Sequence, residues 1–200
     1  MIHAPDRIMT ADEFELYAQL PENADRRLEW HDGEIVELVA NSNAARIGAR
    51  FTQVVGNFVE EHQLGEVTNA EGGYRVNGAP YMPDAGYVSY ARQPQPPSVA
   101  YNPLAPDLAI EVISPSDRQR DIRRKIVNYA AAGTVLWLVD PADGIVEVYT
   151  PGQSMVQHRA DDTLDGGAVL PGFSVALARI FRPAVAPSAA SDPIQPETSV

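Results

Sequence analysis

Glu111 stands in the run Leu108-Ala109-Ile110-Glu111-Val112-Ile113, which is otherwise apolar throughout and reads as a strand covered on both faces. A carboxylate at such a place is costly unless a cation answers it, because burial strips away the water that solvates it. Two residues bear on that cost. Lys125 follows on the next predicted helix, and Asp84, in Pro83-Asp84, opens a predicted strand 27 residues before Glu111. Two hard oxygen donors with an ammonium beside them suit a divalent cation and a scissile phosphate. Mg²⁺ prefers oxygen and keeps several waters, so one or two carboxylates suffice. Such a cation acidifies a bound water and offsets charge on the phosphorane. A lysine can orient that water or stabilise the transition state. Each residue also has a plainer reading. Asp84 alone suits a strand start, Glu111 and Lys125 alone suit a structural ion pair, and Tyr129 alone suits a core.

The elements that would position these groups are clear after Pro106. Residues 108–113 predict a strand, Ser114-Pro115-Ser116-Asp117 a loop ending in helix-capping residues, and Gln119–Ala132 a helix closed by Gly133. Val135–Val139 is a second, wholly apolar strand. The unit is βαβ, so the two strands should be parallel with the helix packed across them. Asp140–Gly144 turns the chain into an antiparallel strand over Ile145–Thr150. On the helix, Ile122, Ile126, Tyr129, Ala130 and Gly133 predict the inward stripe, and Lys125 sits on its margin, within reach of Glu111.

Upstream, Thr10-Ala11-Asp12-Glu13 forms a capping box that opens a helix ending near Pro21. Strands over Arg27–Trp30 and Glu34–Leu38 flank His31-Asp32-Gly33, a hairpin signal. Apolar residues at helical spacing run from Ser42 to about Leu64, ended by Gly65. Short strands at Glu66–Ala70 and Gly73–Val76, an Asn77-Gly78 turn and a strand at Ala85–Tyr90 follow. The segment ARQPQPPSVAYNP reads as an extended surface loop. The last stretch, RPAVAPSAASDPIQPETSV, is poor in hydrophobes and reads as a disordered tail. The expected organisation is one domain over residues 1–182 and a tail over 183–200, with no internal repeat.

Composition excludes several chemistries. The 200 residues contain no cysteine, which removes disulfides, thiolate catalysis and cysteine-bound metals. There is no nucleophile elbow and no phosphate-binding glycine loop, and the four histidines show no metal-ligand spacing. The start lacks a signal pattern and no apolar run spans a membrane, so the expected location is the cytoplasm. With 27 acidic against 15 basic residues the net charge is −12, which argues against a general nucleic-acid coat. Five of those bases fall between Arg118 and Lys125. They read equally as a local basic site or as a solvated helix face beside Asp117 and Asp121.

An Asp at the start of one strand, a Glu inside the next and a nearby Lys resemble the PD-(D/E)XK phosphodiesterase superfamily, the restriction-endonuclease-like fold. The chain more closely resembles a small bacterial family of putative restriction endonucleases. The similar segments are MTADEFELYAQLPENADRRLEWHDGEIVEL, MPDAGYV, PDLAIEVISPSDRQRDIRRKIVNYAAAGTVLWLVDP and VLPGFSV, which span most of residues 9–181. The classical motif places its lysine two residues after the acid, where this chain has Ile113; the smaller family carries it on the following helix, where Lys125 stands. The resemblance implies an α/β fold, a mixed β-sheet flanked by helices with an N-terminal helix and hairpin. It implies Asp84 and Glu111 as ligands of Mg²⁺ or Mn²⁺, Lys125 as the catalytic cation, and Glu29 as a fourth site residue that holds a water. The implied function is an endonuclease acting on DNA; the alternative is a fold-retaining module that binds nucleic acid or protein without cutting. A homodimer is expected, since a compact nuclease without a reader domain gains reach by pairing.

Overall fold

A computed structural model of the chain describes residues 8–182, except 38 and 40; the predicted tail lies outside the described residues. Helix α1 (Ala11–Ala18) opens on the expected capping box, in which the Glu13 amide donates to Thr10 Oγ1 at 3.2 Å and the Thr10 amide to Glu13 Oε2 at 2.9 Å. Strands β1 (Leu28–His31) and β2 (Glu34–Glu37) form the predicted hairpin, with Asp32 and Gly33 both at positive φ. Helix α2 (Ser42–Glu61) is capped by the Asn41 side chain and stops short of Leu64. Its real terminator is Gln63, at φ 52°, after which the Leu64 amide turns back to the Val59 carbonyl. Gly65 instead opens β3 (Gly65–Asn69), where the missing side chain lets two backbones approach.

The hairpin of β4 (Gly73–Val76) and β5 (Ala79–Tyr81) turns at Asn77-Gly78 as predicted. Next come β6 (Ala85–Ser89), β7 (Tyr101–Asn102), β8 (Leu108–Val112), α3 (Gln119–Ala132) and β9 (Val135–Asp140). The chain ends with β10 (Ile145–Tyr149), β11 (Val156–Arg159), β12 (Thr163–Asp165), β13 (Ser174–Ala176) and α4 (Leu177–Phe181). Among the described residues, no helix is long and apolar enough to cross a membrane.

The main sheet has six strands in the order β11-β10-β9-β8-β6-β3. Strands β8 and β9 pair in parallel, with Glu111 opposite Leu138 and Val112 opposite Val139, and the other pairings are antiparallel. The fold is therefore the expected α/β arrangement, with helices on both faces. One face carries Leu108, Ile110, Val112, Trp137 and Val139 against α2, β12, β13 and α4. The other carries Ala109, Leu136 and Leu138 against α3 and the small sheet β5-β4-β7. Alternation along β8 thus sends Glu111 into the α3 layer.

Helix α3 is rotated slightly from the expected orientation. Ala130 is exposed, while Asp121 and Tyr129 are buried and Lys125 lies largely covered between them. The inward row is Asp121–Lys125–Tyr129, at four-residue spacing. The apolar pattern missed it because two of its three members are charged.

Trp137 holds the opposite layer together. It is 1% exposed, with ring centroids 6.1 Å from Phe51 of α2 and 5.8 Å from Phe173. Trp137→Ala is expected to cost about 3–5 kcal/mol, the usual range for removing a large buried aromatic. Urea denaturation followed by circular dichroism measures this, and a loss below about 1 kcal/mol would contradict the packing described.

Candidate active site

Three elements converge on Lys125. From β8, Glu111 Oε2 accepts a hydrogen bond from Lys125 Nζ at 2.9 Å, and from β1, Glu29 Oε1 accepts another at 2.9 Å. Tyr129, one turn along α3, donates its hydroxyl to Glu111 Oε1 at 2.8 Å. Behind Glu29, His31 Nε2 lies 3.0 Å from Glu29 Oε2, and His31 Nδ1 stands 3.8 Å from Asp121 Oδ1. Asp121, Lys125 and Tyr129 thus interleave with His31, Glu29 and Glu111 in one buried row, hydrogen-bonded from His31 through to Tyr129. At its other end His31 Nδ1 and Asp121 Oδ1 face each other without a hydrogen-bond partner among the described residues. Strand alternation explains the hairpin's part. Leu28 packs against α1 and Met9, while Glu29 and His31 share the opposite face, toward α3.

Asp84 enters differently. Strand β6 begins only at Ala85, opposite Ile110, so no strand residue stands beside the Val112 amide. The Asp84 side chain takes the place of that missing strand, with Oδ2 accepting from Val112 N at 2.8 Å. Its other oxygen faces Gly48 of α2, where an added Cβ would stand 3.1 Å from Asp84 Cβ and 3.6 Å from Oδ1. A glycine there leaves the Asp84 side chain unpressed by α2, whereas a Cβ would crowd it.

The electrostatics are asymmetric. Burial pushes Glu111 up to about 7, against the attraction of Lys125 and reinforced by the charges of Glu29 and Asp84. Glu29 is also opposed by burial, but the Lys125 charge and the hydrogen bonds from His31 and Lys125 prevail and bring it down to about 2. Burial raises Asp84 as well, partly countered by the Val112 amide and by Lys125. Burial disfavours the Lys125 ammonium, yet Glu111 and Glu29 hold its pKa well above the ordinary lysine range. Glu111 and Glu29 together keep Lys125 charged, and of the two Glu29 is the one whose own pKa is lowered.

Asp84, Glu111, Lys125 and Glu29 all line one cleft of about 560 Å³. Five carboxylates, Glu29, Glu71, Asp84, Glu111 and Asp117, line it against two cations, Arg27 and Lys125. That excess of hard oxygen donors fits a divalent cation. Among the described residues no group of three His, Asp or Glu is placed to hold a metal ion. Asp84 and Glu111 are two oxygen donors, a number that suits a cation that keeps several waters.

Of the four residues expected at the site, Glu29, Glu111 and Lys125 are in direct contact. Asp84 shares their cleft and meets the β8 backbone. Arg26, close to Glu29 in sequence, binds Glu37 at 2.8 Å, and Glu29 is left to Lys125 and His31. His31, Asp121 and the hydroxyl of Tyr129 were missed, although two signals pointed to them: i,i+2 on a strand for Glu29 and His31, and i,i+4 for the helix row. Much of the Arg118–Lys125 cluster is paired with acids. Arg118 and Arg120 meet Glu34, and Arg124 meets Asp32 at 2.7 Å, so these arginines fasten α3 to the hairpin turn.

The model of the Uma2 family, described as "Putative restriction endonuclease", matches residues 14–178. A solved structure from Anabaena variabilis, described as a putative nuclease belonging to DUF820, superposes with a TM-score of 0.74. The two are 22% identical, and the alignment covers 86% of this chain and 97% of that one, a likeness of fold. No curated protein matches the chain.

The opposed shifts set a pH signature for the protein in chelator. Between the ordinary 4.5 and about 7 the folded state binds more protons at Glu111 than the unfolded chain does, so stability falls as pH rises through that window. At Glu29 the unfolded chain binds more protons, so stability is lost as pH falls from 4.5 toward 2. Glu111→Gln should flatten the fall above 4.5 and leave the acid limb. Urea titrations of both proteins across that range provide the measurement; identical slopes above 4.5 would refute the assignment.

Proposed function

The chain belongs to the Uma2 family of putative restriction endonucleases, and on that premise we propose that it is a metal-dependent endonuclease hydrolysing phosphodiester bonds in DNA. The observation that carries this reading is the Lys125 ammonium clamped between Glu111 and Glu29 in a cleft with an excess of carboxylates. Asp84 and Glu111 would hold Mg²⁺ or Mn²⁺, which supplies a Lewis-acid charge and an acidified water. Tyr129 and Lys125 bind the two Glu111 oxygens and orient that carboxylate before any cation arrives. An ammonium has three N–H donors. Two are spent on Glu111 and Glu29, and the third is left for an oxygen of the scissile phosphate. Glu29 helps Glu111 keep that ammonium charged and is positioned to hold a water beside it.

One observation favours the non-cleaving alternative: Lys125 and both oxygens of Glu111 already satisfy one another and Tyr129 without a cation. Nicking of supercoiled plasmid separates the two readings. Cleavage should require Mg²⁺ or Mn²⁺ and vanish in Glu111→Gln and Asp84→Asn. The same ions should raise the wild-type melting temperature by mass action but not that of either variant. Lys125→Ala should destabilise the metal-free protein, because Glu29 and Glu111 lose the cation they share. A wild-type protein that cuts neither single-stranded, double-stranded nor branched DNA and shows no thermal response to either ion is not this enzyme.

A homodimer would present two clefts to two strands. Both faces of the β1–β2 hairpin are occupied within the monomer, so the proposed surface is the proline-rich loop, where Val99 is exposed. Sedimentation equilibrium should give twice the mass of the chain, and a monomer at high protein concentration would remove the dimer.

A further inference from the structure

Six of the thirteen described arginines are answered by acids: Arg26 by Glu37, Arg75 by Asp12 and Glu15, Arg92 by Asp107, and Arg118, Arg120 and Arg124 by the hairpin turn. Arg46 and Arg50 of α2 are among the seven that are not, and they are held together instead. Among the described residues neither makes an ion pair. Their Nη1 atoms donate to one and the same oxygen, the main-chain carbonyl of Arg182, at 3.0 and 2.8 Å. Arg50 Nη1 also donates to the Ile180 carbonyl at 2.6 Å, and Arg46 Nη2 to Asn43 Oδ1 at 2.6 Å. Two guanidinium groups are thus pinned side by side by uncharged acceptors, and the exposed Arg182 side chain adds a third charge close by. Burial, then the charges of Arg46 and Arg182, lower the pKa of Arg50.

Their place on the helix relates them to the cleft. Ala44, Ala45, Gly48, Ala49, Thr52 and Gln53 form the α2 wall of the cleft, and all but Gln53 are small enough to let a polymer backbone approach. At about 100° per residue, Arg46 stands about 20° and Arg50 about 60° beyond Gln53 round the helix, so both border the Gln53 edge of that wall, just outside the cleft lining. A guanidinium keeps a planar fork of donors that matches phosphate geometry, and anchoring by carbonyls organises the forks in advance. Contacts of this kind hold a duplex in register without reading its sequence. The acidic balance elsewhere repels phosphate and so favours approach from this side.

We propose that Arg46, Arg50 and Arg182 form a phosphate-binding ledge that grips the backbone of a DNA duplex lying along the cleft. The proposal rests on the endonuclease reading for its choice of polymer. A phosphate seated there joins the three charges by charge-assisted hydrogen bonds and relieves their mutual repulsion.

The test uses the full chain, a short fluorescein-labelled duplex, anisotropy titrations over a range of KCl, and EDTA to prevent cutting. Arg182→Ala removes one charge but keeps the carbonyl that anchors the other two. Its melting temperature should be unchanged, and the salt slope of log K should fall by about one, since each phosphate contact contributes about 0.9. Arg46→Ala/Arg182→Ala should lower the slope by about two and the affinity roughly ten- to a hundredfold near 0.1 M salt. Wild-type slope and affinity in both variants would overturn the ledge, as would a wild-type protein that does not bind the duplex. Plasmid nicking run in parallel separates this from the function. Cutting by the wild type with unaltered binding by the variants sinks the ledge alone. Reduced slopes in the variants of a protein that never cuts support the ledge and sink the endonuclease.

Discussion

Two carboxylates from different parts of the chain share a single ammonium in a layer that is otherwise largely apolar. The cost of removing Glu29, Glu111 and Lys125 from water is offset only if all three arrive together with their hydrogen bonds made. That requirement specifies the register of three elements at once. Strand β8 must face Glu111 toward α3, α3 must turn its Asp121–Lys125–Tyr129 row inward, and β1 must direct Glu29 rather than Leu28 to the same point. A one-residue slip in either strand would exchange a carboxylate for a hydrophobe and leave the ammonium half-answered. The charged seam is thus a specificity device as well as a candidate site.

The surrounding charges follow from the same arrangement. Arg124 on Asp32, and Arg118 and Arg120 on Glu34, bind the tip of the hairpin to the start of α3. These are mostly exposed pairs, each worth little by itself. Their value is positional: they hold β1 beside α3, so that Glu29 is presented to Lys125. Trp30 helps from the other side, with its indole nitrogen donating to the Met9 carbonyl at 2.8 Å. The hairpin is held between α1 and α3, and the site inherits that fixity.

Much of this was legible in the sequence. Glu111 was visible because a charge interrupts an apolar strand, Lys125 because it borders an apolar helical stripe, and the parallel βαβ unit because its strands, cap and glycine stop are all strong signals. What was hidden has a common cause. Polar residues on a buried face look like surface residues to any pattern built on hydrophobicity, so Asp121 and His31 passed unnoticed. The basic cluster looked like a possible nucleic-acid patch because its acids lie on a hairpin far away in sequence. Strands β7, β12 and β13, of two or three residues, form because neighbours offer them partners. The α2 terminus was misplaced for a local reason, since Gln63 rather than Gly65 takes the left-handed turn.

The Asp84 carboxylate, which substitutes for a missing strand at the Val112 amide, acts as a ruler. Glu111 and Val112 share one peptide unit, so the two acids are separated by a rigid planar spacer and one hydrogen bond. Side-chain flexibility, which ordinarily blurs the distance between two acidic groups, has little room to do so here. The spacing of the two acids is thereby fixed in the sheet itself, at the point where one strand runs out, and not by the choice of rotamer.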